Sequence, residues 1–309
     1  MARWSAGPAS RRLASHFAAP LYENTKPTVL MSESRFILAG VMGWPVAHSR
    51  SPVIHKHWIA QYGLQGTYVQ LPVPPERLGD AIRGLPALGF AGCNVTVPHK
   101  VQALALMDDL HPVARRMAAI NTIVVREDGS LYGMNNDGAG WVQSLRDADP
   151  AWRGDAGPAL VLGAGGAARA IVVALLDEGA PEVRLTNRTR EKAEALAQEL
   201  GTQVKVVDWK DRNQAMAGVS LLVNTTTQGM QGHPALDVVL DDLPAGALVS
   251  DLVYIPLETP LLATARQRGH RAVGGLGMLI NQARPAFHAW FGVMPEVTPA
   301  LRAALQATF

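Results

Sequence analysis

The segment "PALVLGAGGAARAIVVALLDEGA", residues 158–180, limits the fold more than any other stretch of the chain. Ala159 to Leu162 form an unbroken apolar run, as expected of a strand buried on both faces. The closely spaced Gly163, Gly165 and Gly166 end that run, and small apolar residues then suit a buried helix. Gly163 permits a tight turn, Gly165 lets the backbone approach a ligand, and Ala168 stands where helix and strand need a small residue between them. The free N–H groups at the helix start, with the helix dipole, favour a diphosphate. In this strand–turn–helix setting, Gly163, Ala164, Gly165, Gly166 and Ala167 read as a dinucleotide site of the Rossmann type. A plain tight turn is the alternative.

The end of the next strand bears on which dinucleotide is bound. An acidic residue roughly 20 positions past the glycines holds the ribose 2′-hydroxyl of NAD. Here the chain reads Asn187-Arg188-Thr189, with Lys192 one turn on. Arg188 can bind a 2′-phosphate bidentately, and an acid would repel it. The sequence therefore points to NADP; the alternative is a solvated surface arginine.

Strands and helices alternate from Phe36 onward. Strands are expected at 36–41, 67–73, 92–97, 182–188, 203–208, 219–226 and 247–254, and helices at 51–63, 74–85, 137–148 and 189–201. Ser51 is the expected N-cap of the first helix. Residues 120–125 and 130–135 flank Asp128-Gly129 and read as a hairpin. Two helices, 276–291 and 298–307, end the chain. Repeated β-α-β units with buried strands argue for an α/β protein, with parallel sheets covered by helices. A length of 309 residues favours two domains.

Composition excludes several functions. The net charge of +2, without clusters of Lys and Arg in the body of the chain, argues against a nucleic-acid partner. No apolar run reaches the roughly 18 residues of a membrane span. Cys93 is the one cysteine, so neither an intrachain disulfide nor a cysteine metal cage can form, and a reducing compartment fits. His55 and His57 are two apart on a helix and do not face each other, so no metal is expected.

Residues 1–35 read as a disordered leader outside the folded unit. Arg3, Arg11, Arg12 and Lys26 stand against the single acid Glu23 in the first 30 residues, a composition resembling an organellar transit peptide. An unstructured leader or a start at Met31 accounts for it more simply, and a cytoplasmic location is expected.

Polar residues gather at expected strand ends outside the glycine-turn region: Ser49, Ser51, Asn94, Thr96, Asn121 and Asp137. In "NVTVPHK", residues 94–100, Pro98 stops a strand and Lys100 follows at once. Ligands of open α/β sheets bind beyond the carboxyl ends of strands, so these side chains could converge on one crevice. A Lys–Asp pair there could pass a proton to and from an alcohol. Lys100 could equally be a solvated lysine and Asp137 a helix cap.

The motifs "HSRSP" (48–52), "NVTVPHK" (94–100), "AINT" (119–122), "NNDG" (135–138), "GAGGAARA" (163–170), "NRT" (187–189), "NTTTQGM" (224–230), "DLVYIPLETPLL" (251–262) and "GGLGMLINQA" (274–283) occur in the order seen in the shikimate dehydrogenase family, which the chain resembles over residues 36–292. The resemblance implies an NADP-dependent oxidoreductase that reduces 3-dehydroshikimate to shikimate on the route to chorismate and the aromatic amino acids. It implies two three-layer αβα domains. Residues 36–136 and 275–309 would form the substrate domain, and 138–274 a Rossmann-like NADP-binding domain.

The resemblance also implies site roles. Lys100 and Asp137 would be the catalytic pair, and Ser49 and Ser51 would hold the substrate carboxylate. Thr96, Asn121, Tyr254 and Gln282 would contact ring hydroxyls. Gly275 and Met278 would wall the nicotinamide, with Asn224, Thr225 and Thr226 passing beneath the cofactor. The partner expected is the small-molecule substrate, with no nucleic acid or membrane, in a monomer or homodimer. Arg50 replaces a frequent Lys, Thr227 a frequent Ser, and Asn136 the Thr of "NTDG". Alternatives are a quinate/shikimate dehydrogenase with relaxed substrate or NAD use and a non-catalytic dinucleotide sensor on the same fold.

Overall fold

Apolar runs become strands, and the turn residues between them set how those strands pair. The computed structural model describes residues 36–309, so the expected leader lies outside the described residues. One sheet contains β1 (Ile37–Gly43), β2 (Gly66–Pro72), β3 (Phe90–Val95), β4 (Asp109–Leu110), β5 (Thr122–Val125) and β6 (Leu131–Met134), in the order β2-β1-β3-β5-β6-β4. β1 runs parallel to β2 and β3, but β5 runs antiparallel to β3 and β6. This sheet is therefore mixed, because the short turn at Asp128-Gly129 can join only antiparallel strands. Helices α1 (Ser51–Gln61), α2 (Leu78–Gly84) and α3 (Pro112–Met117) accompany it.

The other sheet is wholly parallel. It contains β7 (Ala159–Leu162), β8 (Val183–Thr186), β9 (Val204–Val207), β10 (Leu221–Asn224), β11 (Leu248–Asp251) and β12 (Arg271–Val273), in the order β12-β11-β10-β7-β8-β9. Its helices are α4 (Asp137–Ala148), α5 (Gly166–Asp177), α6 (Arg190–Leu200) and α7 (Pro260–Gln267). The strand order reverses between β7 and β10, which creates a crevice at their carboxyl ends. The glycine turn and residues 225–228 sit at that crevice.

Three helices follow: α8 (Leu276–Asn281), α9 (Ala283–Phe291) and α10 (Pro299–Gln306). The single helix expected over 276–291 is broken at Gln282, since Pro285 has no N–H to give the Asn281 carbonyl. Phe287, Trp290, Leu301 and Leu305 return to the first sheet and share a core with Ala39, Trp58 and Tyr68. α4 links the two sheets. Its Trp141 and Leu145 join the core of the parallel sheet. A Cβ on Gly140 would stand 2.5 Å from the Gln282 nitrogen, so only glycine lets α8 approach this closely.

Candidate active site

The turn after β3 fixes Lys100. The strand stops at Val95, two residues earlier than expected, although the Thr96 N–H still donates to the Met42 carbonyl at 2.9 Å. Pro98 cannot donate, and the His99 N–H closes the turn on the Thr96 carbonyl at 2.9 Å. The buried His99 ring places Nε2 2.7 Å from the Val73 carbonyl. The Lys100 carbonyl accepts from the Ile120 N–H at 2.9 Å. With its backbone held, Lys100 extends Nζ to Asp137 Oδ2 at 2.7 Å.

Asp137 opens α4 but does not cap it. Asn135 Oδ1 accepts the Asp137 N–H at 3.0 Å, which leaves the carboxylate to face other groups. Asn121 Nδ2 donates to Asp137 Oδ1 at 2.9 Å and to Gln282 Oε1 at 3.3 Å. The break between α8 and α9 thus sets Gln282 beside the lysine–carboxylate pair. The side chains of Lys100 and Asp137 are 31% and 13% exposed, so the pair is sheltered yet reachable.

Ser49, Ser51, Thr96 and Asn121 line the same cleft, of about 270 Å³, from the side of the mixed sheet. Ser51 is not the N-cap. It is the first helical residue, and Ser49 Oγ accepts its N–H at 3.3 Å, which leaves the Ser51 hydroxyl free of capping duty. Tyr254, Gly275, Met278 and Gln282 line the cleft as well. Burial raises the Tyr254 phenol pKa, with the nearby Arg50 charge opposing. Ala167, expected among the cofactor residues, lines this cleft as well. Glycine at 275 has a packing cause, since a Cβ there would lie 2.1 Å from the Leu252 carbonyl oxygen.

A second cavity, of about 410 Å³, opens at the crevice of the parallel sheet. The glycine turn enters it through Gly163, Ala164 and Gly165. Gly163 adopts φ 108°, and a Cβ there would meet Thr225 Oγ1 at 2.6 Å. A Cβ on Gly165 would meet nothing within 4 Å, so protein packing does not require that glycine. Open space over exposed N–H groups at a helix start fits a diphosphate. Gly166 is exposed at the first position of α5.

Arg188, Thr189 and Lys192 also line this cavity, and no acidic side chain does. Arg190 is tied to Glu194 and Asp208, whereas the exposed Arg188 has no ion-pair partner among the described residues. These groups fit a 2′-phosphate. Asn187 lines the cavity too, and its amide also holds the backbone: its Oδ1 accepts the Ala164 N–H at 3.2 Å and its Nδ2 donates to the Thr189 carbonyl at 2.7 Å.

Thr225 and Thr226 line the cavity, but Asn224 does not. Asn224 is fully buried and spends its polar atoms on Asp251, the Gln228 carbonyl and Thr226. It braces the 225–228 turn. Trp209 also lines the cavity, with the Arg212 guanidinium 4.8 Å from its ring. Nothing in its sequence context signalled this.

A parallel nucleotide-binding sheet beside a mixed sheet, with an ammonium–carboxylate pair in the cleft between them, defines a two-domain pyridine-nucleotide-dependent oxidoreductase. Three family profiles match the chain. They are the shikimate dehydrogenase substrate binding domain over residues 41–123, shikimate/quinate 5-dehydrogenase over 154–231, and the shikimate 5′-dehydrogenase C-terminal domain over 275–306. The chain belongs to the shikimate dehydrogenase family.

A shikimate dehydrogenase (NADP(+)) of Paramagnetospirillum magneticum is 55% identical over 266 residues, covering 86% of this chain and 96% of the relative. The crystal structure of shikimate 5-dehydrogenase from Thermus thermophilus, in complex with NADP(H) and shikimate, superposes with a TM-score of 0.79 at 36% identity, covering 89% of this chain and 100% of that one. Quinate dehydrogenase from Corynebacterium glutamicum in complex with NAD superposes at 0.82 with 29% identity, covering 88% and 99%.

Proposed function

We propose that the protein catalyses the reversible NADP-dependent reduction of 3-dehydroshikimate to shikimate, on the route to chorismate and the aromatic amino acids. The observation that carries this reading is the Lys100–Asp137 pair in a cleft whose neighbouring cavity is lined by Arg188 and Lys192 and by no acid. Relatives named as NADP-dependent shikimate dehydrogenases support it.

Ser49 and Ser51 present hydroxyls to the substrate carboxylate, where bonds to a charged acceptor are stronger than neutral ones. Thr96, Asn121, Tyr254 and Gln282 orient the ring hydroxyls. NADPH, when bound, supplies the hydride that reduces the keto carbon. Lys100 stabilises the charge growing on the substrate oxygen and gives it a proton; in the reverse direction it takes that proton back. Asp137 holds the ammonium in place and, through Asn121, shares its second oxygen with the ring-binding wall. The glycine turn and Thr225–Thr226 hold the dinucleotide, Arg188, Thr189 and Lys192 its 2′-phosphate, and Gly275 and Met278 wall the nicotinamide.

Residues 36–136 with 275–309 act as the substrate domain, and 138–274 as the cofactor domain. The shared core of α9 and α10 with β1 and α1 supports this division. No helix among the described residues is long and apolar enough to cross a membrane. A cytoplasmic enzyme acting as a monomer or homodimer belongs to the same reading.

The test mixes purified protein with NADP and shikimate and follows absorbance of the reduced cofactor. No reduction of NADP would overturn the reading. The likeness to a quinate dehydrogenase holding NAD favours one second reading, quinate or NAD use. Quinate and NAD substituted separately decide it: a higher kcat/KM with either would displace the first reading.

A further inference from the structure

We infer that Thr122, acting with Asn94 and Asn136, is a positioning residue for the catalytic carboxylate through the side-chain amide of Asn121. This rests on Lys100 and Asp137 being the reacting pair. An asparagine amide can present either its oxygen or its nitrogen, and only the nitrogen can donate to Asp137. Turned over, Asn121 would set one acceptor oxygen against another.

The bonds around Thr122 forbid that turn. Its hydroxyl has one proton, and Asn121 Oδ1 lies 2.9 Å away to accept it. The acceptor side of the same hydroxyl takes N–H groups from Asn94 Nδ2 at 3.1 Å and Asn136 Nδ2 at 3.1 Å. With two donors already pointing in, the proton has one place to go. The Asn136 backbone N–H adds a second donor to Asn121 Oδ1 at 3.1 Å. Asn121 Oδ1 is thereby saturated, and Nδ2 must face Asp137 and Gln282.

Asn94 is fixed in its turn. The Tyr68 hydroxyl donates to Asn94 Oδ1 at 2.7 Å, so the Asn94 amide gives its N–H groups to Thr122 and to the Asn121 carbonyl at 3.0 Å. Donation therefore runs one way, from Tyr68 through Asn94, Thr122 and Asn121 to Asp137. Tyr68 and Thr122 are fully buried, and Asn94, Asn121 and Asn136 nearly so. At that depth a reversed amide leaves buried polar groups without partners, which is the costly outcome. Asn136, which replaces the Thr of the family motif, supplies one of the two N–H donors that commit the Thr122 proton.

Thr122→Val removes the hydroxyl at nearly constant shape, and Thr122→Ser keeps it. The expected result is a drop in kcat of at least about tenfold in Thr122→Val, with KM for NADP unchanged and kcat regained to within about threefold in Thr122→Ser. Equal impairment of both variants, or a Thr122→Val enzyme within twofold of wild-type kcat, would overturn the inference. So would a parallel loss of NADP affinity, which would mark general damage. If Thr122→Val does not fold, Tyr68→Phe deletes only the far hydroxyl; the inference predicts a several-fold fall in kcat with KM for NADP unchanged, and no fall refutes it. A wild-type protein inactive on shikimate with NADP would instead overturn the functional reading, and this inference with it.

Discussion

Lys100 Nζ and Asp137 Oδ2 stand 2.7 Å apart although 37 positions separate them in the chain. One side chain leaves the turn after β3, and the other leaves the first turn of α4. Their meeting depends on β5 and β6 doubling back beside β3, so that the chain returns to the strand end it had left. The antiparallel part of the mixed sheet is thus what brings the two side chains together.

Lys100→Ala tests that pair directly. The variant loses the proposed proton donor but none of the groups assigned to the carboxylate or the ring. Turnover should fall by about 10²–10⁴, the usual range for a lost general acid. Shikimate affinity should change little, because Ser49 and Ser51 remain. Steady-state kinetics with a direct binding titration separate the two quantities, and a modest fall in turnover would remove Lys100 from its role.

Much of this site could be read from the sequence, because its parts are local. The glycine turn, the Asn187-Arg188-Thr189 strand end and the Pro98 stop each carry their cause within a few residues. What could not be read is where a polar side chain finds its partner across the fold. Tyr68 reads as a core aromatic in a strand, and its bond to Asn94 exists only once β2 and β3 flank β1. Ser51 and Asp137 each stand one position inside their helices rather than at the cap, and the N–H of each is accepted by a side chain two residues upstream, Ser49 and Asn135. Asn224 sits at a strand end, as expected, yet faces inward to Asp251.

Arg188→Ala separates the two dinucleotides. A guanidinium bonded to a phosphate contributes about 1.5–3 kcal/mol as charge-assisted hydrogen bonds. The variant should therefore bind NADP about 10- to 100-fold more weakly, while NAD, which lacks the 2′-phosphate, loses little. Equal losses for both cofactors would show that Arg188 supports the cavity rather than reading the phosphate.

His55 gives the fold a pH dependence of its own. Its ring is fully buried, stacks on Tyr68 at a centroid distance of 4.1 Å, and has Trp58, Phe287 and Trp290 around it. Burial lowers its pKa to about 3, with the Asn94 side chain opposing only in part. The unfolded chain takes up a proton here as the pH falls through about 6.5, while the native state refuses it down to about 3. The stability tied to neutral His55 is therefore full above pH 6.5 and drains away below it, by about 4–5 kcal/mol at the lower limit. His55→Phe keeps an aromatic ring and removes the titration. It should flatten the fall of Tm between pH 6.5 and 4, and an unchanged slope would assign that fall to other groups.

Two alanine substitutions in the glycine turn should part company. At Gly163 the backbone is at φ 108° and a Cβ would press on Thr225 Oγ1, so Gly163→Ala should lower stability whether or not cofactor is present. Gly165 lies at φ −92°, a value any residue accepts, and a Cβ there would enter open space. Gly165→Ala should thus leave the Tm of the free protein within a degree or two and yet weaken NADP binding by at least about tenfold, since the methyl group would occupy ground the diphosphate needs. Thermal melts with and without NADP read both effects at once. If Gly165→Ala were stabilised by NADP as fully as the wild type, the diphosphate could not lie against this turn.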